Sequence, residues 1–316
     1  RDAACFGIWA LARRYSTAEM QKVPIPTSYA AEEGDSSSVV IQVLATELVV
    51  SASLDPAGNI RRGASAALQE IIGRHPDTVA EGIAVVQVVD YHAVALRSRA
   101  MLEVAPKAAL LSKYYRDALL RALLSWRGIG DGDAISRRNA GSGIGLLARG
   151  FQLGGIPFHW GMLMDLMTSI KSQLNSISPR ESDQRHGLLL SMAAVISSVP
   201  DIFRIGGIGN ALPSPGVRDT MNLVFQIATE LLETAKSSTD RRIEMVAEGA
   251  SRVILATVAV FPVELHLRTL SSASAEDPVE NGVELSESSN HVDAIGASAT
   301  PGTVAGDFLQ PVMAQT

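Results

Sequence analysis

The chain has a single cysteine, Cys5, among its 316 residues. A lone thiol excludes an internal disulfide framework and a thiolate zinc site, and it suits a reducing compartment. Aromatic residues are scarce at 5%, which favours helices packed through small and aliphatic side chains over a β-sandwich. Basic residues are not in excess, since the formal net charge is −6, so nothing advertises a nucleic-acid partner. No apolar run reaches the roughly 18 residues needed to cross a bilayer. The longest candidate, Leu188 to Val199, is interrupted by Ser191, Ser197 and Ser198. The expectation is therefore no nucleic acid and no membrane among the partners. A secretory signal is also lacking at the front. The chain opens on Arg1 in what reads as mid-helix, however, so it is expected to be a piece of a longer protein.

Catalytic signatures are missing as well. There is no Gly-x-Ser-x-Gly elbow and no phosphate loop ending in Gly-Lys-Ser/Thr. The histidines at 75, 92, 159, 186, 266 and 291 lie far apart, with no pair at metal-ligand spacing. Cys5 sits among large apolar residues, as an inert core thiol would. The paired carboxylates Glu32-Glu33 read as a solvated loop. Gly141-Ser-Gly-Ile-Gly145 resembles half of a dinucleotide fingerprint, but Arg137-Arg138-Asn139 precedes it instead of a hydrophobic strand. A weakened or kinked helix is the expectation there, because each glycine costs about 1 kcal/mol against alanine. A nucleotide-binding enzyme is the competing reading, and it requires a strand before Ser142. Gly206-Gly-Ile-Gly209 reads as a loop. No catalytic, cofactor-binding or metal-ligating residue is assigned, and no cofactor is expected.

What the chain does have is apolar residues, at 47%, enough for a large core. They are arranged at helical spacing. The stretch Asp55 to Pro76 holds a turn (Asp55-Pro56, Gly58), an N-cap candidate (Asn59), an apolar face and a stop. The face is Ile60, Ala64, Ala67, Leu68, Ile71 and Ile72. Arg61, Arg62, Ser65, Gln69 and Glu70 are expected mostly on the opposite side. Gly73 is placed as a left-handed C-terminal residue, with Pro76 blocking continuation. Residues 1–15 repeat the design, with Phe6, Ile8, Trp9 and Leu11 as the apolar face. They read as the second half of a helical hairpin.

Further helices are expected over 38–53, 78–96, 97–111 with a break at Pro106, 114–126, 157–175, 187–199, 217–236 and 240–260. Ala30 to Ser38 reads as a surface loop. Residues 38–75 form one helix–turn–helix unit, close to the ~40–47 residues of a HEAT or armadillo unit. A turn with Asp or Pro, then arginine, then a small-residue helix recurs near positions 1, 55–62, 131–138, 179–185 and 240–242. The fold class is thus all-α: a HEAT/armadillo-type α-solenoid of stacked hairpins over 1–270. Residues 271–316, rich in Ser, Ala, Glu, Gly and Pro, are expected to form a disordered tail. In a solenoid, equivalent residues of neighbouring repeats meet. Asp55 can then accept hydrogen bonds from Arg61 or Arg62, with Arg185 in the same role further on, as a charge-assisted ladder. The alternative is that these arginines are surface residues that merely start helices.

Three segments carry a family resemblance: Arg1-Asp-Ala-Ala-Cys-Phe, Asn59-Ile-Arg-Arg-Gly-Ala-Ser-Ala-Ala-Leu-Gln-Glu, and Val89-Asp-Tyr-His-Ala-Val-Ala-Leu-Arg-Ser. With Gln184-Arg-His-Gly-Leu in the same order, the sequence resembles the tubulin-folding cofactor D (tubulin-specific chaperone D) family, of which this would be a central HEAT-repeat piece. The resemblance implies a non-enzymatic cytoplasmic chaperone of the microtubule cytoskeleton that captures β-tubulin after the chaperonin. It further implies cofactors C and E with α-tubulin as partners, regulation by a small Arf-like GTPase, and a GTPase-activating role towards tubulin within that complex. A generic HEAT adaptor in transport or complex assembly is the alternative.

For partner contacts, Tyr91, His92, Arg97 and Arg99 combine aromatic and basic groups near a helix junction, and Tyr114 and Tyr115 form a second candidate pair. Both groups can equally be buried contacts between repeats.

Overall fold

A computed structural model describes residues 1–25, 40–150, 160–178, 180–205, 215–237 and 243–260. Among them all regular structure is helical, with no strand. The fold is an all-α solenoid of the armadillo/HEAT kind. The expected loops at 30–38 and 206–209, the turn at 238–242 and the tail at 271–316 lie outside the described residues.

The first helices are α1 (Asp2–Arg14), the single turn α2 (Thr17–Met20), α3 (Val40–Leu54) and α4 (Gly58–Arg74). The helix α4 packs on both α1 and α3. Ile60, Ala64, Ala67, Leu68 and Ile71 are buried as the spacing predicts. Its ends differ from the expectation. The N-cap position is Ala57, not Asn59, because the Asp55 carboxylate already takes the Ala57 N–H at 2.9 Å and the helix starts early. Gly73 lies inside the helix, which ends at His75 in non-helical backbone. The residue before a proline is sterically pushed out of the α region, and Pro76 follows directly. Arg61 and Ser65, expected outside, are buried. In α1 Cys5 and Ala12 are buried and the expected Ile8 and Trp9 pack half-buried against the core, while Phe6 and Leu11 point outward at 68% and 43% exposure. Burial raises the Cys5 thiol pKa, as an inert thiol requires.

The segment expected as one helix over 78–96 is mostly turns around α5 (Gly82–Val88). Asp77 and Glu81 adopt positive φ values of 61° and 52°, which no helix interior allows. Next come α6 (Arg97–Arg99), a π-helical turn (Ala100–Val104) and α7 (Ala105–Leu111), run together without a break. Pro106 has no N–H to give. It follows closely on the π turn, which absorbs the missing hydrogen bond and the register change within the continuous helix. The helix α8 (Lys113–Leu123) is capped by the Ser112 hydroxyl, which accepts the Tyr114 N–H.

The second half holds α9 (Ala134–Gly150), α10 (Trp160–Ser176), α11 (Ser182–Ile205), α12 (Pro215–Ser237) and α13 (Ile243–Val260). The helix α11 runs through Pro200, where the sequence suggested a stop. Here α11 packs on α9 and α13 as one layer, with α10 on α11, and α12 on α10 and α13, as the other. The expected kink at Gly141–Gly145 does not exist: α9 is unbroken. A Cβ on Gly145 would lie 2.8 Å from both the Cβ and the carbonyl oxygen of Ala194, and one on Gly141 would lie 3.1 Å from Leu190. These glycines let α9 and α11 touch backbone to backbone.

Candidate interaction surface

The recurring Asp and Arg residues form a relay between successive repeats. Asp55 is fully buried; one carboxylate oxygen takes the Ala57 N–H, and the other pairs with Arg1 at 3.0 Å. Arg61, six residues later, donates to the carbonyls of Asp55 and Pro56 at 2.8 and 2.9 Å. It also reaches forward to the carbonyls of Val94 and Ala95, both at 2.7 Å. The pattern returns at Asp131. This carboxylate takes the Asp133 N–H at 2.8 Å and the guanidinium of Arg97 at 2.6 Å. Arg137, again six residues on, donates to the Asp131 carbonyl at 2.7 Å and pairs with Asp183 at 3.2 Å.

The expected partners are thus shifted by one repeat. Asp55 meets Arg1, not Arg61 or Arg62, and Arg61 grips backbone carbonyls, not a carboxylate. Arg62 lies over the Tyr91 ring at 5.6 Å. Arg185 is half-buried and has no ion pair among the described residues; the relay position in its neighbourhood belongs to Arg137. Arg137 is 1% exposed and is the residue the sequence reading missed. The signal was present, because Asp131 and Arg137 repeat the six-residue spacing of Asp55 and Arg61.

The candidate partner residues separate into two sets. Tyr115 is fully buried, and its hydroxyl donates to the Ala80 carbonyl at 2.6 Å. Burial pushes its pKa up to about 12. Arg97 is held by Asp131 and Ser136 inside the relay. These two are structural and offer nothing to a partner. Tyr91 and His92 are exposed and meet edge to face at 5.6 Å. The Asp90 carboxylate fixes that turn by accepting the His92 N–H at 2.8 Å, and this hydrogen bond lowers its pKa. Arg99 is exposed and pairs with Glu103 at 3.2 Å. Tyr114 is half-buried beside Lys113. Among the described residues, no cluster of His, Cys, Asp and Glu could hold a metal ion.

A second polar centre joins α9, α11 and α13. Arg138 grips Glu248 with two hydrogen bonds of 2.9 and 2.8 Å, and Arg252 adds a contact at 3.2 Å. The Arg138 hydrogen bonds hold the Glu248 carboxyl down at about 2. Buried His186 accepts from Arg137 on Nδ1 at 3.2 Å, which leaves Nε2 facing Glu248 at 3.4 Å. Burial, then the Arg137 charge, lowers the His186 pKa. Beside this centre the three helices line an open groove of about 580 Å³.

Comparison with known proteins now places the first helices. Residues 1–83 match the family model of tubulin-specific chaperone D-like armadillo repeats. The tubulin-specific chaperone D of Dictyostelium discoideum is 34% identical over 94 residues, which are 30% of this chain. The chain is similar to tubulin-specific chaperone D. The aligned stretch spans 5% of that relative. The resembling segments at 89–98 and 184–188 lie beyond the family model, which ends at residue 83. No solved structure matches the chain.

Proposed function

We propose that this chain is part of a tubulin-folding cofactor, acting as a helical scaffold that captures β-tubulin during assembly of the heterodimer. The match of residues 1–83 to tubulin-specific chaperone D-like repeats carries this reading. A solenoid held by internal Asp–Arg ties leaves its outward side chains available for a client, as a chaperone scaffold needs. On this reading cofactors C and E with α-tubulin are further partners, and a small Arf-like GTPase regulates the assembly. The scaffold acts on the tubulin nucleotide only as an activator within the complex and has no active site of its own. Its place would be the cytoplasm, on the microtubule cytoskeleton.

Of the candidate contacts, Tyr91, His92, Arg99 and Tyr114 stay in this proposal, since Tyr115 and Arg97 are engaged in the fold. The Gly141–Gly145 segment is helix where a nucleotide fingerprint requires a strand-to-helix turn. The test is a pull-down of β-tubulin by the full-length protein. Retention of β-tubulin, weakened by Tyr91→Ala with His92→Ala, is the expected result. No retention would leave the generic repeat scaffold as the better reading.

A further inference from the structure

The sequence carries four Arg-Arg pairs, and one of them departs from the others. Arg61-Arg62 and Arg137-Arg138 stand near the starts of α4 and α9, and Arg241-Arg242 directly precedes α13. Two places after each of these pairs comes a residue without a hydroxyl: Ala64, Ala140 and Glu244. Arg13-Arg14 instead closes α1, and the residue two places on is Ser16. Arg61 and Arg137 are buried in the relay between repeats, whereas Arg13 and Arg14 are both exposed. Arg13 rests on the Trp9 ring at 4.7 Å and reaches Glu70 at 3.5 Å, both on the surface of α1 and α4.

Ser16 is exposed, and its backbone is extended at φ −73° and ψ 160°. Tyr15 before it is extended too, at −109° and 142°. A cleft that works on a protein side chain takes up accessible, extended backbone of this kind. Ser65 shows the contrast. It also follows an arginine pair, but it is buried inside α4 with its hydroxyl donating to the Val89 carbonyl at 2.7 Å.

Little holds Ser16 in place. Its hydroxyl and its N–H both donate to one Glu19 carboxylate oxygen, at 2.7 and 2.8 Å, and both residues are exposed. The helix α2 that this box caps is a single turn, too short to persist without its cap and its packing. That packing is the buried Met20 together with the Thr17 hydroxyl, which meets Nδ1 of His75 at 2.9 Å where α4 ends.

We propose that Ser16 is a phosphorylation site for an arginine-directed protein kinase that reads Arg13 and Arg14, and that the phosphate releases α2 from the end of α4. Guanidinium groups two and three residues before the hydroxyl suit carboxylates in the kinase cleft, which pair with them bidentately. In the transfer, Ser16 Oγ bonds to the γ-phosphorus of MgATP held by the kinase. The bond from that phosphorus to the β–γ bridging oxygen breaks, ADP leaves, and the hydroxyl proton passes to the kinase's base carboxylate. The product carries close to two negative charges at neutral pH, on an oxygen that stood 2.7 Å from the Glu19 carboxylate. Repulsion then replaces the two hydrogen bonds of the box. This site goes beyond the tubulin reading and stands whether or not β-tubulin is the client.

The test treats the full 316-residue chain with MgATP and the catalytic subunit of cyclic-AMP-dependent protein kinase, as the arginine-directed probe. Tandem mass spectrometry of the tryptic peptide Tyr15–Lys22 locates the phosphate. Phosphate on Ser16 is expected, and Ser16→Ala should remove it from this peptide. Arg14→Ala, which leaves the Arg13 contacts in place, should lower kcat/KM at Ser16 by about tenfold, the worth of one charge pair. In the phosphorylated chain, amide exchange should quicken at Met20 and Gln21, whose N–H groups bond to the carbonyls of Ser16 and Thr17, while α3 keeps its protection. A peptide without phosphate, phosphate on Thr17 instead of Ser16, a rate unmoved by Arg14→Ala, or unchanged exchange in α2 would each overturn the proposal.

Discussion

The pair α3–α4 and the layer α9–α11–α13 solve the same stacking problem with one frame and two packings. Both hold successive repeats through an Asp whose carboxylate accepts the N–H two residues on, and an Arg six residues on that grips the Asp carbonyl. They differ in how near the helices come. A Cβ on Gly63 of α4 would meet its nearest neighbour, Cys5, at an ordinary 3.6 Å, and one on Gly73 would meet nothing within 4 Å. On α11, a Cβ at Gly187 would lie 2.7 Å from the Ile129 Cβ and nearer still to that residue's carbonyl oxygen. On α13, one at Gly249 would lie 2.6 Å from the Leu189 Cβ. The polar frame is thus transferable between repeats, while the apolar packing is fitted locally. Glycine inside a helix means opposite things in the two places.

The largest expected effect tests that contrast where it is strongest. Gly187→Ala pushes a methyl into the backbone of Ile129, which cannot swing aside as a flexible side chain would. A cost of about 3 kcal/mol is expected, at the upper end for overpacking. Urea unfolding followed by circular dichroism measures it. A change below about 0.5 kcal/mol, the level of a neutral surface substitution, would show that α11 does not pack this tightly.

Next come the two relay arginines. Arg61→Met leaves the carbonyls of Val94, Ala95, Asp55 and Pro56 without this donor and keeps the apolar stem. Arg137→Met removes the donors to the Asp131 carbonyl and to His186. A loss of about 2–3 kcal/mol is expected for each, since the Val94 and Asp55 carbonyls in the first case and the His186 ring in the second are left behind buried. Amide hydrogen exchange should show faster exchange in α4 and at residues 94–97 for the first variant, and in α9 and α11 for the second. Uniform loosening along the chain in both cases would mean that the relay does not act locally.

A third test uses acid to distinguish the regions. Glu248 has a folded pKa of about 2 against an ordinary 4.5. Its contribution is complete above pH 4.5 and is lost as the pH falls towards 2. His186 has a lowered pKa and is buried neutral, so its unfolded form takes up a proton first. Stability from this source is full above the ordinary value of 6.5 and declines as the pH drops below it. Acid should therefore open α11 and α13 in two stages. Glu248→Gln should flatten the later one, by about 2 kcal/mol after allowing for partial exposure of the carboxylate. His186→Gln should flatten the earlier one. Thermal melts at pH 7, 5.5 and 2.5 read both, and an unchanged slope in the two variants would remove this centre as the source of acid sensitivity.

These contrasts also explain what was legible in the sequence. Helix identity, the hairpin at 38–75 and the core face of α4 follow from periodicity, which is a local property of the chain. Termini did not follow, because competing local contacts decide them. Asp55 captured the Ala57 N–H before Asn59 could cap anything, and Pro76 rather than Gly73 fixed the end of α4. Arg61 was legible as a tie between repeats, but its acceptors were not, because four backbone carbonyls leave no side-chain signal in the sequence. The glycines of α9 suggested a kink because propensity counts their cost, whereas the compensating contact lies on α11, some 50 residues away in Leu190 and Ala194. Tyr91 and Tyr115 were indistinguishable as types. Only the fold puts one in solvent and turns the other onto the Ala80 carbonyl.

The smallest expected effect carries the opposite sign to the largest. Gly73 lies within α4 with open space where a Cβ would stand. Alanine there adds no clash and removes backbone freedom from the unfolded chain, so Gly73→Ala should stabilise by about 0.5–1 kcal/mol. Had Gly73 been the left-handed terminal residue that its place before Pro76 suggests, the same change would force a Cβ into strained backbone and would destabilise instead. The sign of the shift in urea midpoint therefore decides between the helix continuing to Arg74 and the helix ending at Gly73. Set beside Gly187→Ala, it also separates a glycine retained for close contact with the turn at Ile129 from one that the packing does not require.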